Sequence, residues 1–204
     1  MNVVLEHANA TFLDRPVGHR WIGRIASRLI RLFGWRVVLV EAMPRRCVVV
    51  FYPHTSNWDL VLGLLAKWIM DLDFHVVVKD SAFVGPFGGL LTRLGGIAIN
   101  RREQTGVVAA LAARFREQEV LRLVIAPEGT RSLTEHWKSG FYNIALEAQV
   151  PFALSFVDYA RRETGVGAWF MPSGDRDADM RAIAQFYADK TAKYPAQAGP
   201  VRLT

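Results

Sequence analysis

The chain has 204 residues, 51% of them hydrophobic, a formal net charge of +6 and an isoelectric point near 9.8. That length and apolar content exclude disorder and predict a single domain over residues 1–204 with a substantial core. One cysteine, Cys47, excludes an internal disulfide, and the basic charge favours an anionic partner: nucleic acid, a membrane surface or a phosphate-bearing substrate.

The opening stretch MNVVLEHANATFLDR lacks a basic segment followed by an apolar one, so no secretory signal is expected. No run reaches the roughly 18–20 apolar residues of a spanning helix. Both features predict a cytoplasmic protein.

The first predicted helix covers about residues 19–33, HRWIGRIASRLIRLF. At 100° per residue, Arg20, Arg24, Arg28 and Arg31 fall within an arc of about 80°. Trp21, Ile22, Ile25, Leu29, Leu32 and Phe33 fill the adjoining arc of about 120°. No acid occurs between residues 19 and 36. The pattern fits a helix lying in an anionic bilayer interface, with Arg20, Trp21, Arg24, Arg28 and Arg31 facing the membrane. It fits equally an ordinary amphipathic helix packed on a sheet, and the spacing leaves both open.

Further along, strands are predicted at 35–41, 46–52, 74–79, 96–99, 121–126, 151–157 and 166–171. Helices are predicted at 57–71, 87–94, 103–118, 139–149 and 177–193. Runs such as VVVFY and LVIA do not alternate polar with apolar residues, which suits strands covered on both sides. The alternation of strands and helices predicts an α/β fold: a mostly parallel central sheet of about seven strands with helices on both faces. Ligands of such sheets sit beyond the carboxyl ends of the strands. The helix 57–71 is apolar on nearly every side, so it is either sandwiched in the core or partly lipid-facing.

Between the strand at 46–52 and that helix runs PHTSNWD, residues 53–59. On one continuous helix, residues five apart point about 140° away from each other, and His54 and Asp59 would not meet. Pro53 disfavours a continuous helix and puts His54 in a turn, from which its imidazole can fold back over Asp59. A carboxylate on one ring nitrogen leaves the other free to accept a proton. The plainer alternative makes Ser56 an N-cap and Asp59 its capping-box acid. No Gly-x-Ser-x-Gly elbow is present, and Cys47 lies inside a strand as a buried, inert thiol. A His–Asp pair without a nucleophile acts by activating an acceptor hydroxyl. The five histidines show no metal-ligand spacing, so no metal is expected.

Two basic turns follow strands. In APEGTRS (126–132), Gly129 frees the backbone to turn and expose amides. Thr130 offers a hydroxyl and Arg131 a planar fork for phosphate. Glu128 would repel a phosphate, so within this binding segment its part is to hold Arg131 or the loop. In GGIAINRR (95–102), Arg101 and Arg102 end a short strand and suit either an anion site or a solvated charge pair.

Taken together and in this order, HTSNWD, GGIAINR, APEGTRS and the Pro-led strand VPFALSF resemble the glycerolipid (lysophospholipid) acyltransferase family across roughly residues 45–158. Pro53 stands where that family usually has Asn, and Ala126 where it has Phe. The resemblance implies that His54, oriented by Asp59, deprotonates the free hydroxyl of a lysolipid, lysophosphatidic acid by default. The oxygen then attacks the thioester of acyl-CoA or acyl carrier protein in one direct transfer, without a cofactor. It also implies that Gly129, Thr130 and Arg131, with Arg101 and Lys79 and with Glu128 in support, hold the acceptor phosphate. The helix at 19–33 would then dock the enzyme peripherally on the inner face of the membrane. The chain is short for the family and is expected to lack its N-terminal membrane hairpin. A thioesterase using the same pair on water is the alternative enzyme, and a non-catalytic lipid- or nucleic-acid-binding protein the alternative class. Nucleic acid is not the expected partner, because the basic residues are not interleaved with aromatics in a recognisable module.

Overall fold

Unbroken runs of β-branched residues become the central strands of one sheet. The computed structural model describes residues 9–18, 20–79, 86–99 and 106–204. Its strands are β1 (Ala10–Phe12), β2 (Arg36–Val40), β3 (Arg46–Phe51), β4 (Phe74–Lys79), β5 (Gly96–Ile99), β6 (Leu121–Ile125), β7 (Phe152–Asp158) and β8 (Glu163–Phe170). The helices are α1 (Trp21–Leu32), α2 (Asn57–Met70), α3 (Pro86–Arg93), α4 (Val107–Glu117), α5 (Gly140–Ala148) and α6 (Arg176–Tyr187), followed by a 3-10 turn at Pro195–Gln197.

The sheet order is β1-β2-β8-β7-β3-β6-β4-β5. Strands β7, β3, β6, β4 and β5 are mutually parallel. Central β3 alternates between two cores. Val48, Val50 and Tyr52 join one with side chains of α4, α5 and α6, and Cys47 and Val49 join the other with side chains of α1 and α2. Helices therefore cover both faces, as the unalternating strands require.

Expectation and structure differ in three places. Among the described residues the sheet has eight strands, because three-residue β1 pairs antiparallel with β2, a length too short to carry a pattern. β8 runs antiparallel to β7, so the sheet is mixed at that end. Only Tyr159–Arg162 join those strands, and a parallel crossover needs a dozen residues or more. Helix α6 stops at Tyr187 rather than 193. Beyond it the chain is drawn against the β7–β8 turn, where the amide of Tyr159 donates to the Thr191 carbonyl (2.9 Å) and that of Thr191 to Asp158 Oδ1 (3.3 Å).

Helix α1 packs in an unexpected orientation. Its buried residues are Gly23, Ala26, Ser27 and Ile30, a third sector distinct from both the arginine arc and the apolar arc. Gly23 sets this face: a Cβ there would lie 2.7 Å from the Trp68 carbonyl oxygen, so only glycine allows so close an approach to α2. The apolar stripe is turned outward, with Trp21 71%, Leu32 79% and Phe33 66% exposed. The two helices run antiparallel. Gly23 meets the end of α2, while Trp35, just past α1, packs edge-on against Tyr159 (5.0 Å), whose hydroxyl bonds Asp59 at the start of α2. Leu62, Ala66, Ile69 and Met70 of α2 are buried, whereas Trp58, Leu60 and Val61 near its start are exposed.

Candidate active site

The turn after β3 carries the two residues singled out from the sequence. A cis Tyr52–Pro53 peptide leads out of the strand, and Ser56, in an extended conformation, caps α2. Nδ1 of His54 lies 3.3 Å from Oδ2 of Asp59. The contact lacks hydrogen-bond alignment, and Nδ1 has no other partner among the described residues. The same Oδ2 accepts from the amides of Thr55 and Ser56, both at 2.8 Å. The capping box is present as well. The acid that caps the helix is also the acid that faces the imidazole.

Tertiary structure adds a partner that the sequence did not announce. Tyr159, just past β7, donates its hydroxyl to Oδ1 of Asp59 at 2.7 Å. Asp59 is 1% exposed. Burial pushes its carboxyl up, but the His54 imidazole, the Tyr159 hydroxyl and the Ser56 amide outweigh that and hold it below the usual range. The Tyr159 hydroxyl is in turn pushed up by burial and by the Asp59 charge. Asp59 therefore stays anionic and Tyr159 neutral. Among the described residues nothing bonds Nε2 of His54, and the side chain is 18% exposed. That nitrogen is available to a proton arriving from outside the fold.

The PEGTR turn follows β6, the parallel neighbour of β3, and so emerges at the same edge. Glu128 is 2% exposed and points into the fold. Its Oε2 accepts from the His54 backbone amide (2.9 Å) and its Oε1 from that of Gly199 (3.4 Å). It is therefore no phosphate ligand: its support goes to the His54 loop and not to Arg131. Gly129 has φ of +66°, where other residues are strained, and its amide closes the turn onto the Ala126 carbonyl (3.0 Å), so that amide is not free for an anion. Thr130 Oγ1 accepts from the Ser132 amide (3.2 Å) and keeps its own proton to donate. Arg131 is exposed, and its guanidinium has no partner among the described residues. Lys79 is the last residue of β4 and so stands at this edge. Arg101 lies outside the described residues. Cys47 is fully buried, its thiol pushed up to about 12 by burial, which suits an inert core residue. Among the described residues no group of His, Cys, Asp and Glu forms a metal site.

The C-terminal segment, which carried no motif, also reaches the site. The Tyr194 amide donates to Thr55 Oγ1 (3.3 Å), and the Tyr52 hydroxyl donates to the Gly199 carbonyl (2.8 Å). In the orientation that satisfies its amide, Gln197 donates to the carbonyls of Thr55 (3.1 Å) and Arg131 (3.0 Å), tying the two loops together.

Burial pushes the carboxyl of Glu128 up to about 7, against the backbone amides of His54 and Gly199, which pull it down. A carboxyl that titrates higher in the fold than in the unfolded chain binds more protons when folded, so stability falls as pH rises between the two values. Comparing denaturant midpoints at pH 5 and pH 8, Glu128→Gln is expected to gain on the wild type by roughly 3 kcal/mol over that interval. A gap between the two proteins that is independent of pH would contradict the assignment.

The acyltransferase family model matches residues 35–154, which take in both loops and the strands that carry them. No curated protein matches the chain in sequence. Among solved structures, that of the 1-acyl-sn-glycerophosphate acyltransferase PlsC from Thermotoga maritima superposes with a TM-score of 0.55. The two are 16% identical, over 84% of this chain and 80% of that one, a likeness of fold. With more than half of its 204 residues matched by the family model, the chain belongs to the acyltransferase family.

Proposed function

We propose that the protein is an O-acyltransferase that moves a fatty acyl group from the thioester of acyl-CoA or acyl carrier protein to the free hydroxyl of a lysophospholipid, lysophosphatidic acid by default. The observation that carries this reading is an imidazole backed by a buried carboxylate on one nitrogen and open on the other. It stands beside a turn whose Arg131 has no ion-pair partner among the described residues, in a chain of the acyltransferase family.

Nε2 of His54 takes the acceptor hydroxyl proton as the oxygen attacks the thioester carbon. The tetrahedral intermediate collapses, the C–S bond breaks, and the imidazolium returns the proton to the departing thiolate. Asp59 holds the tautomer with Nδ1 protonated and stabilises the imidazolium. Tyr159 and the two backbone amides keep Asp59 in place. Thr130 and Arg131 bind the acceptor phosphate, with Lys79 and Arg101 as further candidates from their places in the sequence.

Helix α1 supports attachment to the inner face of an anionic membrane. Among the described residues no helix is long and apolar enough to cross a bilayer. An exposed apolar stripe flanked by arginines suits lying in the interface instead. Because Leu32 and Phe33 lie at the end of α1 nearest Tyr159 and Asp59, the docked face and the site share one side of the molecule. A lysolipid in that membrane would have a short path to His54.

Three measurements test the reading. Incubated with acyl-CoA, acyl carrier protein thioester and a lysolipid panel, the wild type should form a new ester. His54→Ala, still folded, should lose a factor of about 10²–10⁴ in turnover, and thioester consumed without ester would mark a hydrolase instead. Tyr159→Phe removes a donor from a carboxylate that then holds the imidazolium more strongly. The acidic limb of its pH–rate profile should move to higher pH, and an unshifted limb would leave Tyr159 a packing residue only. Replacing Arg20, Arg24, Arg28 and Arg31 by Gln should weaken sedimentation with anionic vesicles by about 1 kcal/mol per charge. Equal sedimentation of both forms would remove the membrane assignment.

A further inference from the structure

We propose that Lys193 is a ligand for the anionic headgroup of the lysolipid acceptor, so that the C-terminal segment sets the charge preference of the site. The inference rests on the acyltransferase reading above and goes beyond it, because residue 193 lies outside the segment matched by the family model.

The ammonium of Lys193 lies 5.3 Å from the ring centre of Trp58 and 5.7 Å from that of Tyr194. Ring faces at this range orient a cation without neutralising it. Among the described residues Lys193 forms no ion pair, although nearby Lys190 pairs with Asp189 and Arg161 with both Asp158 and Asp189. The charge is thus held in place and left unbalanced.

Its position is fixed relative to the reacting groups. Trp58 immediately precedes Asp59, and the amide of Tyr194 is bonded to Thr55, the neighbour of His54. Gln197 extends the same segment to the backbone of Arg131, and Gly199 extends it to Glu128. Lys193 therefore stands at one end of a strap that crosses the His54 loop and reaches the PEGTR turn. Trp58 and Tyr194 are 58% and 47% exposed, so the cation is set at an open mouth. An acceptor whose hydroxyl meets His54 would place a phosphate monoester within the field of this ammonium on one side and of the Arg131 guanidinium on the other. A zwitterionic headgroup carries its own ammonium and gains less.

Calorimetric titration of wild type, Lys193→Gln and Lys193→Arg with short-chain lysophosphatidic acid, short-chain lysophosphatidylcholine and coenzyme A tests this, alongside turnover with both acceptors. Lys193→Gln is expected to bind the anionic lysolipid about tenfold or more weakly. Its affinities for the choline lipid and coenzyme A should change less than about twofold, and Lys193→Arg should restore the anionic preference. Equal affinities in wild type and Lys193→Gln, no binding of the anionic lysolipid by wild type, an equal loss for both lysolipids, or an effect confined to coenzyme A would each overturn the proposal. Lys193-dependent binding without ester formation by the wild type would instead overturn the acyltransfer reading and leave the ligand assignment standing.

Discussion

The carboxylate of Asp59 is the point on which the site depends. It is almost fully buried, and an anion so placed costs several kcal/mol unless its oxygens are satisfied. Two backbone amides and a tyrosine hydroxyl satisfy them, and the imidazole of His54 closes the set. The amides come from the turn after β3 and the hydroxyl from the end of β7, so the carboxylate joins two neighbouring strands. From the other side, Glu128 at the end of β6 grips the backbone of His54. The turn is clamped between its two sheet neighbours, which fixes the backbone that carries the imidazole.

A second constraint governs how the protein meets its surroundings. Hydrophobic stripes of helices ordinarily face the core, because burial of apolar area is the main driving force of folding. Helix α1 instead buries a narrow face of small residues and leaves its widest apolar sector in contact with solvent. Small residues allow close backbone approach to α2, which compensates in packing for what is lost in apolar area. The outward stripe adjoins four arginines, and this pairing of apolar surface with cationic flank matches the chemistry of an anionic bilayer surface. The exposed start of α2, with Trp58, Leu60 and Val61, directly follows the turn that carries His54.

The last dozen residues bear on the site although no motif marks them. They are bonded to the His54 loop, to the PEGTR turn and to Glu128, and their far end is anchored where the amide of Trp137 donates to the Arg202 carbonyl (2.7 Å). The family match ends at residue 154, so the His54–Asp59 pair and the C-terminal groups that border it come from stretches of different character: one recognisable by motif, the other by contact only.

Several elements were legible in the sequence because their causes are local. β-branched runs gave β3 and β6, Pro53 and Ser56 gave the bend and cap that bring His54 to Asp59, and 100° spacing separated the arginine arc of α1 from its apolar arc. Other features have non-local causes. The direction in which α1 faces depends on the shape of α2, which Gly23 meets some 45 positions away in the chain. Tyr159 lies 100 residues beyond Asp59, and Gly199 lies 71 beyond Glu128. The sequence by itself determined an α/β sheet with a histidine and an acid at one strand end, because propensity and periodicity act over a few residues. Only the tertiary structure decided which groups steady that acid, which way the amphipathic helix turns and where the C-terminal segment lies, because those follow from packing between segments that no local pattern connects.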